Sequence, residues 1–593
     1  MRRKKSCLFW CFFVSFLIFF PAFTNPEQGS KKLSKPQYEV KAEFNVPVLM
    51  RDGVKLSADV YRPDAEGQFP VLLTRTYYGK CNRDIFHSSG KEFIEYFVSR
   101  GYVVVIQDCR GRYDSEGKFY IEIYDAEDGY DTYEWCGSQP WSNGKIGTYG
   151  CSYGGCIQWY SAHLRNSHLK CMVPRDATSD SYFDGGFMRG GVYQGWLGWC
   201  VGTAGGTGRQ GRREGLNWKE IYMNLPLNEA DESIGFHFPW WKDYFKHPIY
   251  DEYWKRTSVH NKYHLIEVPS LNIGGWYSSS DIMGTIRNFL GVFKKGYSEQ
   301  GRKNQKLFIG PWSHCSSSTK VGEIDFGPQA KVDFNELHLR WYDHWLKGID
   351  TGIMDTPPIK IFVMGMNDWI TAADWPLPET QFTKFFLHSG GRANSLIGDG
   401  TLNITHPNSE PVDRFTYDPA HPVPSSTDSD LLDQRPMERR DDVLVYTSEP
   451  LKEDLMVVGP VKVILYAASS AVDTDFTGKL VDVHPNDLAQ GLNYGIVRAR
   501  YRDSFEKPTL IEPGKIYKYE IDLWATGNLF KKGRRIRLEI SSSNFPGFLP
   551  NTNTGNDIGS DTERKIARQI IYHDAEHPSH LVLPIIPDNR IDT

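Results

Sequence analysis

The chain carries no cysteine after Cys315, so its last 278 residues hold neither a disulfide nor a thiolate metal site. No C-x-x-C pair occurs, and Cys151 and Cys156 are spaced wrongly for zinc. No other cluster of metal or cofactor ligands stands out, so no metal and no organic cofactor is expected. No basic stripe follows the first few residues. The net charge is −5 with a pI near 6.4, which argues against a nucleic-acid partner. Beyond the N-terminus no apolar run reaches 18 residues, so no membrane span is expected in the mature chain. Internal repeats are absent too.

What the chain does have is core material: 40% hydrophobic and 14% aromatic residues in 593, enough for two to four domains. Residues 1–24 differ from the rest. Arg2, Arg3, Lys4 and Lys5 precede an apolar stretch from Leu8 to Phe20, with Ala22 and Thr24 at the −3 and −1 cleavage positions. The pattern reads as a signal peptide and predicts a secreted or periplasmic protein; an uncleaved anchor is the alternative. Cys7 and Cys11 leave with it. The eight remaining cysteines would sit where disulfides can form, although buried free thiols are the bland reading of those in strand-like surroundings.

From Tyr38 to about Pro174 short apolar strands (PVLLTRT, GYVVVIQD, KIGTYG, KCMVP) alternate with amphipathic stretches, the pattern of a parallel sheet. After Asp176 the strands stop, and aromatic residues recur at helical spacing. Strands resume with VPSLNIGGWY and KLFIGPW. The expected fold is α/β: an α/β-hydrolase domain over 38–175 and 263–352, interrupted by a helical cap over 176–262. Pro357-Pro358 mark a boundary, and 353–593 read as an all-β jelly-roll sandwich of period-2 strands. There Tyr517, Tyr519, Ile521 and Leu523 share one face. Ile536, Leu538 and Ile540 share another, with Arg537 and Glu539 opposite.

The chemistry centres on Gly150-Cys151-Ser152-Tyr153-Gly154, a G-x-S-x-G nucleophile elbow between a strand and a helix-compatible run. Small residues on both sides let the backbones pass while Ser152 projects its hydroxyl. The N–H of Tyr153 would then point at a developing oxyanion. A serine nucleophile needs a base and an acid, in the chain order Ser, acid, His. His314, in IGPWSHC after a strand-like run, is the base candidate, against the alternative of a surface histidine. Asp281, in GGWYSSSDIMG, is the acid candidate; a first-turn helix carboxylate is the competing reading. Tyr78, in the loop after an early strand, is the candidate second oxyanion donor, with aromatic packing as its alternative.

At this point a resemblance appears. QDCRGRYDSEG, DGYDTYEW, QPWSNGKIGTYGCSYGG, GGWY, GPWSH, RARYRDS, LWATGNLFKKGRRIRLEISSSNFP and NTNTG resemble the cocaine esterase and X-prolyl dipeptidyl aminopeptidase family of serine hydrolases, over about residues 42–585. The resemblance implies an α/β-hydrolase domain, an inserted cap, a C-terminal jelly-roll near the site, and ester or amide hydrolysis through an acyl-enzyme. Ser152 and His314 match the nucleophile and base. Tyr78 matches the oxyanion tyrosine, with Tyr77 in place of a proline. One departure stands out. The family's acid directly follows G-W-Y or G-W-F, and that slot is Ser278 here. Asp281 either takes over the acid role or matches the carboxylates that α-amino ester hydrolases use to hold a substrate ammonium.

The leading expectation is an exported serine hydrolase acting on a small-molecule ester or amide or a short peptide. Acyl esters, acylase-type substrates and X-Pro dipeptidyl substrates all stay open. Trp196, Trp199, Trp240 and Trp241 suggest an aromatic acyl pocket, or stacking within the cap. Asp176, Asp180 and Asp184 are carboxylates at hand for a free amino terminus. The competing expectation is a catalytically impaired relative that binds carbohydrate or cell-surface material through its jelly-roll.

Overall fold

The computed structural model describes residues 32–81, 90–184, 186–204, 215–278, 281–425 and 433–587; the expected signal segment 1–24 lies outside them. Strands covered on both faces need mostly apolar residues, and the chain supplies them. The ten strands of the first sheet are β1 (Val40–Leu49), β2 (Lys55–Pro63), β3 (Phe69–Thr76), β4 (Val103–Asp108) and β5 (Ser142–Cys151), then β6 (Leu169–Arg175), β7 (Ser270–Tyr277), β8 (Gln305–Ser313), β9 (Ile359–Val363) and β10 (Asp368–Ala372). β4 and β7 are buried along their whole lengths. The strand order is β1-β2-β4-β3-β5-β6-β7-β8-β9-β10. The ladders are parallel from β4 to β9 and antiparallel at both ends. Helix α1 (Tyr153–Ala162) follows β5, and α2 (Asp281–Lys295) follows β7. The helix Phe334–Lys347 is closed by Asp333, which accepts from the Glu336 N–H at 3.0 Å, and by the left-handed Gly348.

Between β6 and β7 the regular structure is mainly helical, with short helices at Leu197–Ala204, Trp218–Met223, Ala230–Ser233, Pro239–Lys246 and Glu252–Lys255. A two-residue hairpin, Met188–Arg189 against Val192–Tyr193, interrupts that pattern. The first sheet runs on past the boundary expected at residue 353, through β9 and β10. Proline lacks an N–H but keeps its carbonyl, and Pro358 accepts from the Leu307 N–H at 2.8 Å. Pro357-Pro358 therefore open a strand of this sheet instead of leaving it.

The remaining chain forms a second sheet of eleven strands, paired antiparallel except at Thr401 and Thr447. Its longest pairing joins Leu455–Ser469 to Tyr517–Phe530. Tyr519, Ile521 and Leu523 are fully buried while Lys518, Glu520 and Asp522 are exposed, as period-2 alternation requires. Ile536, Leu538 and Ile540 are buried as well. Arg537 and Glu539 point the other way and are also covered; Arg537 pairs with Glu438 at 2.7 Å and Glu539 with Lys479 at 3.9 Å. One apolar core contains Trp276, Ile282 and Ile309 of the first unit together with Val463 and Leu523 of the second. Among the described residues no helix is long and apolar enough to cross a membrane.

Candidate active site

Ligand sites in parallel sheets gather at the carboxyl ends of the strands. Tyr78 follows β3, Ser152 follows β5, Asp176 follows β6, Ser278 follows β7 and His314 follows β8. Ser152 sits at φ 60°, ψ −129°, a strained turn into α1. The turn is tight enough that a Cβ on Gly150, at φ 149°, would lie 2.6 Å from the Gly154 carbonyl oxygen. The Ser152 carbonyl accepts from the N–H groups of Gly155 and Cys156, and its own N–H donates to the Arg175 carbonyl at 3.0 Å. The elbow is thus fixed on both sides.

The Tyr78 hydroxyl donates to Ser152 Oγ at 3.3 Å, and the Tyr77 hydroxyl donates to Tyr78 at 3.4 Å. Burial raises the Tyr78 pKa, which keeps the phenol protonated and able to donate. Tyr153 is the first residue of α1, so its N–H has no acceptor within the helix. Its side chain is anchored well away from that N–H: its hydroxyl donates to Asp125 and accepts from the Glu122 N–H at 2.8 Å.

His314 Nδ1 lies 3.1 Å from Asp281 Oδ2 and 3.0 Å from Ser278 Oγ. Both residues of the ambiguous loop therefore meet the same ring nitrogen. Asp281 is also the first residue of α2, so contact with the ring and a place in the first turn of that helix are compatible. The fully buried Ser278, in the slot where the family keeps its acid, contributes a hydroxyl.

A cleft opens at Ser152, walled by Phe187, Trp196 and Trp199 and bordered by Glu122 and Asp281. Two of the four cap tryptophans line it. The other two pack in the core, Trp240 on Phe238 and Trp241 on Phe245. Sequence reasoning missed Glu122. It lies between apolar neighbours in FYIEIY, with no motif to mark it. Its Oε1 accepts from the hydroxyls of Tyr160, at 2.9 Å, and Ser181. Among the described residues no donor reaches its Oε2. Burial pushes its pKa up to about 7 against the pull of those two hydroxyls.

The three carboxylates expected to be at hand for an amino terminus are already engaged. Asp176 accepts from the N–H groups of Cys315 at 2.8 Å and Gly275 at 3.2 Å. Asp180 accepts from the Tyr182 N–H at 2.8 Å and the Tyr250 hydroxyl at 2.9 Å. Asp184 binds Ser179, Arg287 and His260; burial opposes its charge, yet Arg287 and His260 hold its pKa below the usual range.

Cys151 and Cys315 form a disulfide with a Cα–Cα distance of 6.0 Å. No spacing in the sequence marks the pair, which lies 164 residues apart. With Asp176 they make the one group among the described residues whose ligand atoms could close on a metal ion. The sulfur–sulfur bond removes both thiolates from that use. Cys81, Cys109, Cys136, Cys156 and Cys171 are free.

Residues 52–316 match the family model described as X-Pro dipeptidyl-peptidase (S15 family), and residues 351–582 match the X-Pro dipeptidyl-peptidase C-terminal non-catalytic domain. The chain is 38% identical over 571 residues to the cocaine esterase of Rhodococcus sp. strain MB1 Bresler, covering 91% of this chain and 98% of that one. An aminopeptidase from a marine sediment Thaumarchaeota archaeon shares the structure with a TM-score of 0.82 at 26% identity, over 95% of this chain and 98% of the other. An α-amino acid ester hydrolase shares the fold with a TM-score of 0.81 at 24% identity, over 95% of this chain and all of that one.

Proposed function

Because the chain belongs to the X-Pro dipeptidyl-peptidase (S15) family of serine hydrolases, we propose that it is an exported hydrolase cleaving small esters through an acyl-enzyme on Ser152. One observation carries the reading: Tyr78 donates a hydrogen bond to Ser152 Oγ, at a strained elbow facing an aromatic cleft. With Nδ1 of His314 engaged by Asp281, Nε2 is the nitrogen that takes the serine proton. Ser152 attacks the carbonyl. The oxyanion is held by the Tyr78 hydroxyl and the Tyr153 N–H, at the positive end of α1. His314 returns the proton to the leaving alcohol, and water repeats the sequence to free the acid. The esterase is 38% identical to this chain against 26% for the aminopeptidase, which favours esters over peptides. The basic-then-apolar N-terminus and the Cys151–Cys315 bond support export to an oxidising compartment.

A second reading has one observation behind it. Glu122 borders the cleft, and no described donor reaches its Oε2, which suits an amino group on the acyl part of the substrate. The argument for an impaired binding protein rested on the Ser278 departure. Asp281 at 3.1 Å from the His314 ring weighs against that reading.

The test is a panel of a p-nitrophenyl ester, a phenylglycine ester and Ala-Pro-nitroanilide, with fluorophosphonate labelling of the parent protein and of Ser152→Ala. Ester turnover with labelling lost in Ser152→Ala is expected. Labelling that survives the substitution would place the nucleophile elsewhere.

A further inference from the structure

We propose that the Cys151–Cys315 crosslink, with Asp176 beside it, is a positioning clamp that holds His314 in reach of Ser152. The proposal rests on the hydrolase reading and adds residues to it. Cys151 directly precedes the nucleophile, and Cys315 directly follows the base. β6 and β7 lie between β5 and β8, so no ladder hydrogen bond joins the two strands that carry Ser152 and His314. Three strand spacings of about 4.8 Å would set those strand ends about 14 Å apart. The two cysteine Cα atoms are 6.0 Å apart, so the loop after β8 must turn back over the ends of β7 and β6.

A loop that doubles back has left its ladder and needs other ties. Cys315 takes a left-handed φ of 54° and Asp176 one of 44°. The Asp176 carboxylate gathers the Cys315 N–H at 2.8 Å and the Gly275 N–H at the end of β7 at 3.2 Å. Its Oδ2 lies 3.6 Å from Cys151 Sγ. The neighbouring Arg175 guanidinium donates to the carbonyl of Ser316, the residue after Cys315. None of these contacts involves the imidazole. Asp281 and Ser278 meet the ring at Nδ1, whereas the clamp sets where the backbone of His314 lies relative to Ser152. Misplacing a reacting group by about 1 Å can cost 10²-fold in rate, so the site has use for such a tie.

The test compares the parent with Cys151→Ala/Cys315→Ala, both confirmed folded by circular dichroism, on the p-nitrophenyl ester and in the rate of fluorophosphonate labelling. A fall in kcat of about 10- to 100-fold is expected, with KM within twofold and the labelling rate falling in step. A purely stabilising bond would leave kcat of the folded variant unchanged, and kcat within twofold of the parent overturns the proposal. Should the double variant fail to fold, Asp176→Asn carries the test. It keeps the crosslink and the shape but can no longer accept from both N–H groups. A lower kcat at constant KM supports the clamp, and an unchanged kcat overturns it. A parent that neither turns over the ester nor takes the label fails the hydrolase reading and the clamp with it. An active parent with unaltered variants fails the clamp alone.

Discussion

At the scale of single residues, three side chains carry separable tasks. Tyr78→Phe removes one donor from Ser152 and keeps the ring. Loss of such a donor costs about 10²–10³ in kcat, or about 2.7–4 kcal/mol, and steady-state kinetics on the p-nitrophenyl ester reads it. Asp281→Asn keeps the shape next to His314 but favours the wrong tautomer, so kcat on every substrate should fall by about 10⁴. A fall confined to amino-bearing substrates would make Asp281 a binding group and leave Ser278 to orient the ring. Glu122 bears on stability through pH. Its folded pKa, raised to about 7, exceeds the ordinary value of 4.5, so the folded state holds more protons between those values. Its ionisation therefore costs nothing below about pH 4.5, and the full penalty of about 3 kcal/mol is present above pH 7. Glu122→Gln should raise the urea midpoint at pH 8 and leave it nearly unchanged at pH 4.5. Equal midpoints at pH 8 would show the carboxylate to be well solvated. At this scale the sequence was informative where chemistry imposes a local pattern. Ser152 and Tyr78 lie within motifs and meet in space. Glu122 and the Cys151–Cys315 pair come together through tertiary packing, which no local spacing encodes.

At the scale of elements, the elbow shows why a pattern can be read. Strand, tight turn and helix impose small residues at fixed offsets, and Gly150 has no room for a methyl group. Gly150→Ala should destabilise the protein by about 1–3 kcal/mol and slow phosphonate labelling, as a denaturant curve and a labelling time course would show. A variant of unchanged stability would mean that the turn relaxes freely. Strand faces were legible for the same reason, since period-2 burial leaves a trace in Tyr519, Ile521 and Leu523. The burial of Arg537 and Glu539 was not legible. Their partners Glu438 and Lys479 come from distant segments, and paired charges look like surface until the partners are known. The prolines at 357 and 358 misled in another way. A pair of prolines usually interrupts structure, yet a carbonyl facing β8 is all that the first rung of β9 required.

At the scale of the whole molecule, the two sheets are stitched together. Arg189 of the inserted segment donates to the carbonyls of Tyr494 and Asp522 at 2.8 and 2.9 Å. Gln490 donates to the Tyr277 hydroxyl at 2.6 Å, next to the loop that carries Ser278. The Met364 N–H donates to the Gly527 carbonyl at 2.9 Å, and the apolar core is shared. Calorimetry should therefore show one unfolding transition for the intact chain. Two resolved transitions would show that the shared core does not couple the units. The order of elements, parallel strands first and alternating strands later, was visible from the N-terminal side onward. The place where one sheet ends was not, because strands of both sheets look alike in sequence.

The helix that starts at Asp281 has a consequence for how relatives of this chain are sorted. A carboxylate can reach an imidazole from a helix start three residues downstream of the customary slot. A survey that scores the acid by alignment column alone would file such chains with the inactive homologues. The distance from a carboxylate oxygen to the far ring nitrogen is the safer criterion, because the proton responds to geometry and is indifferent to the column.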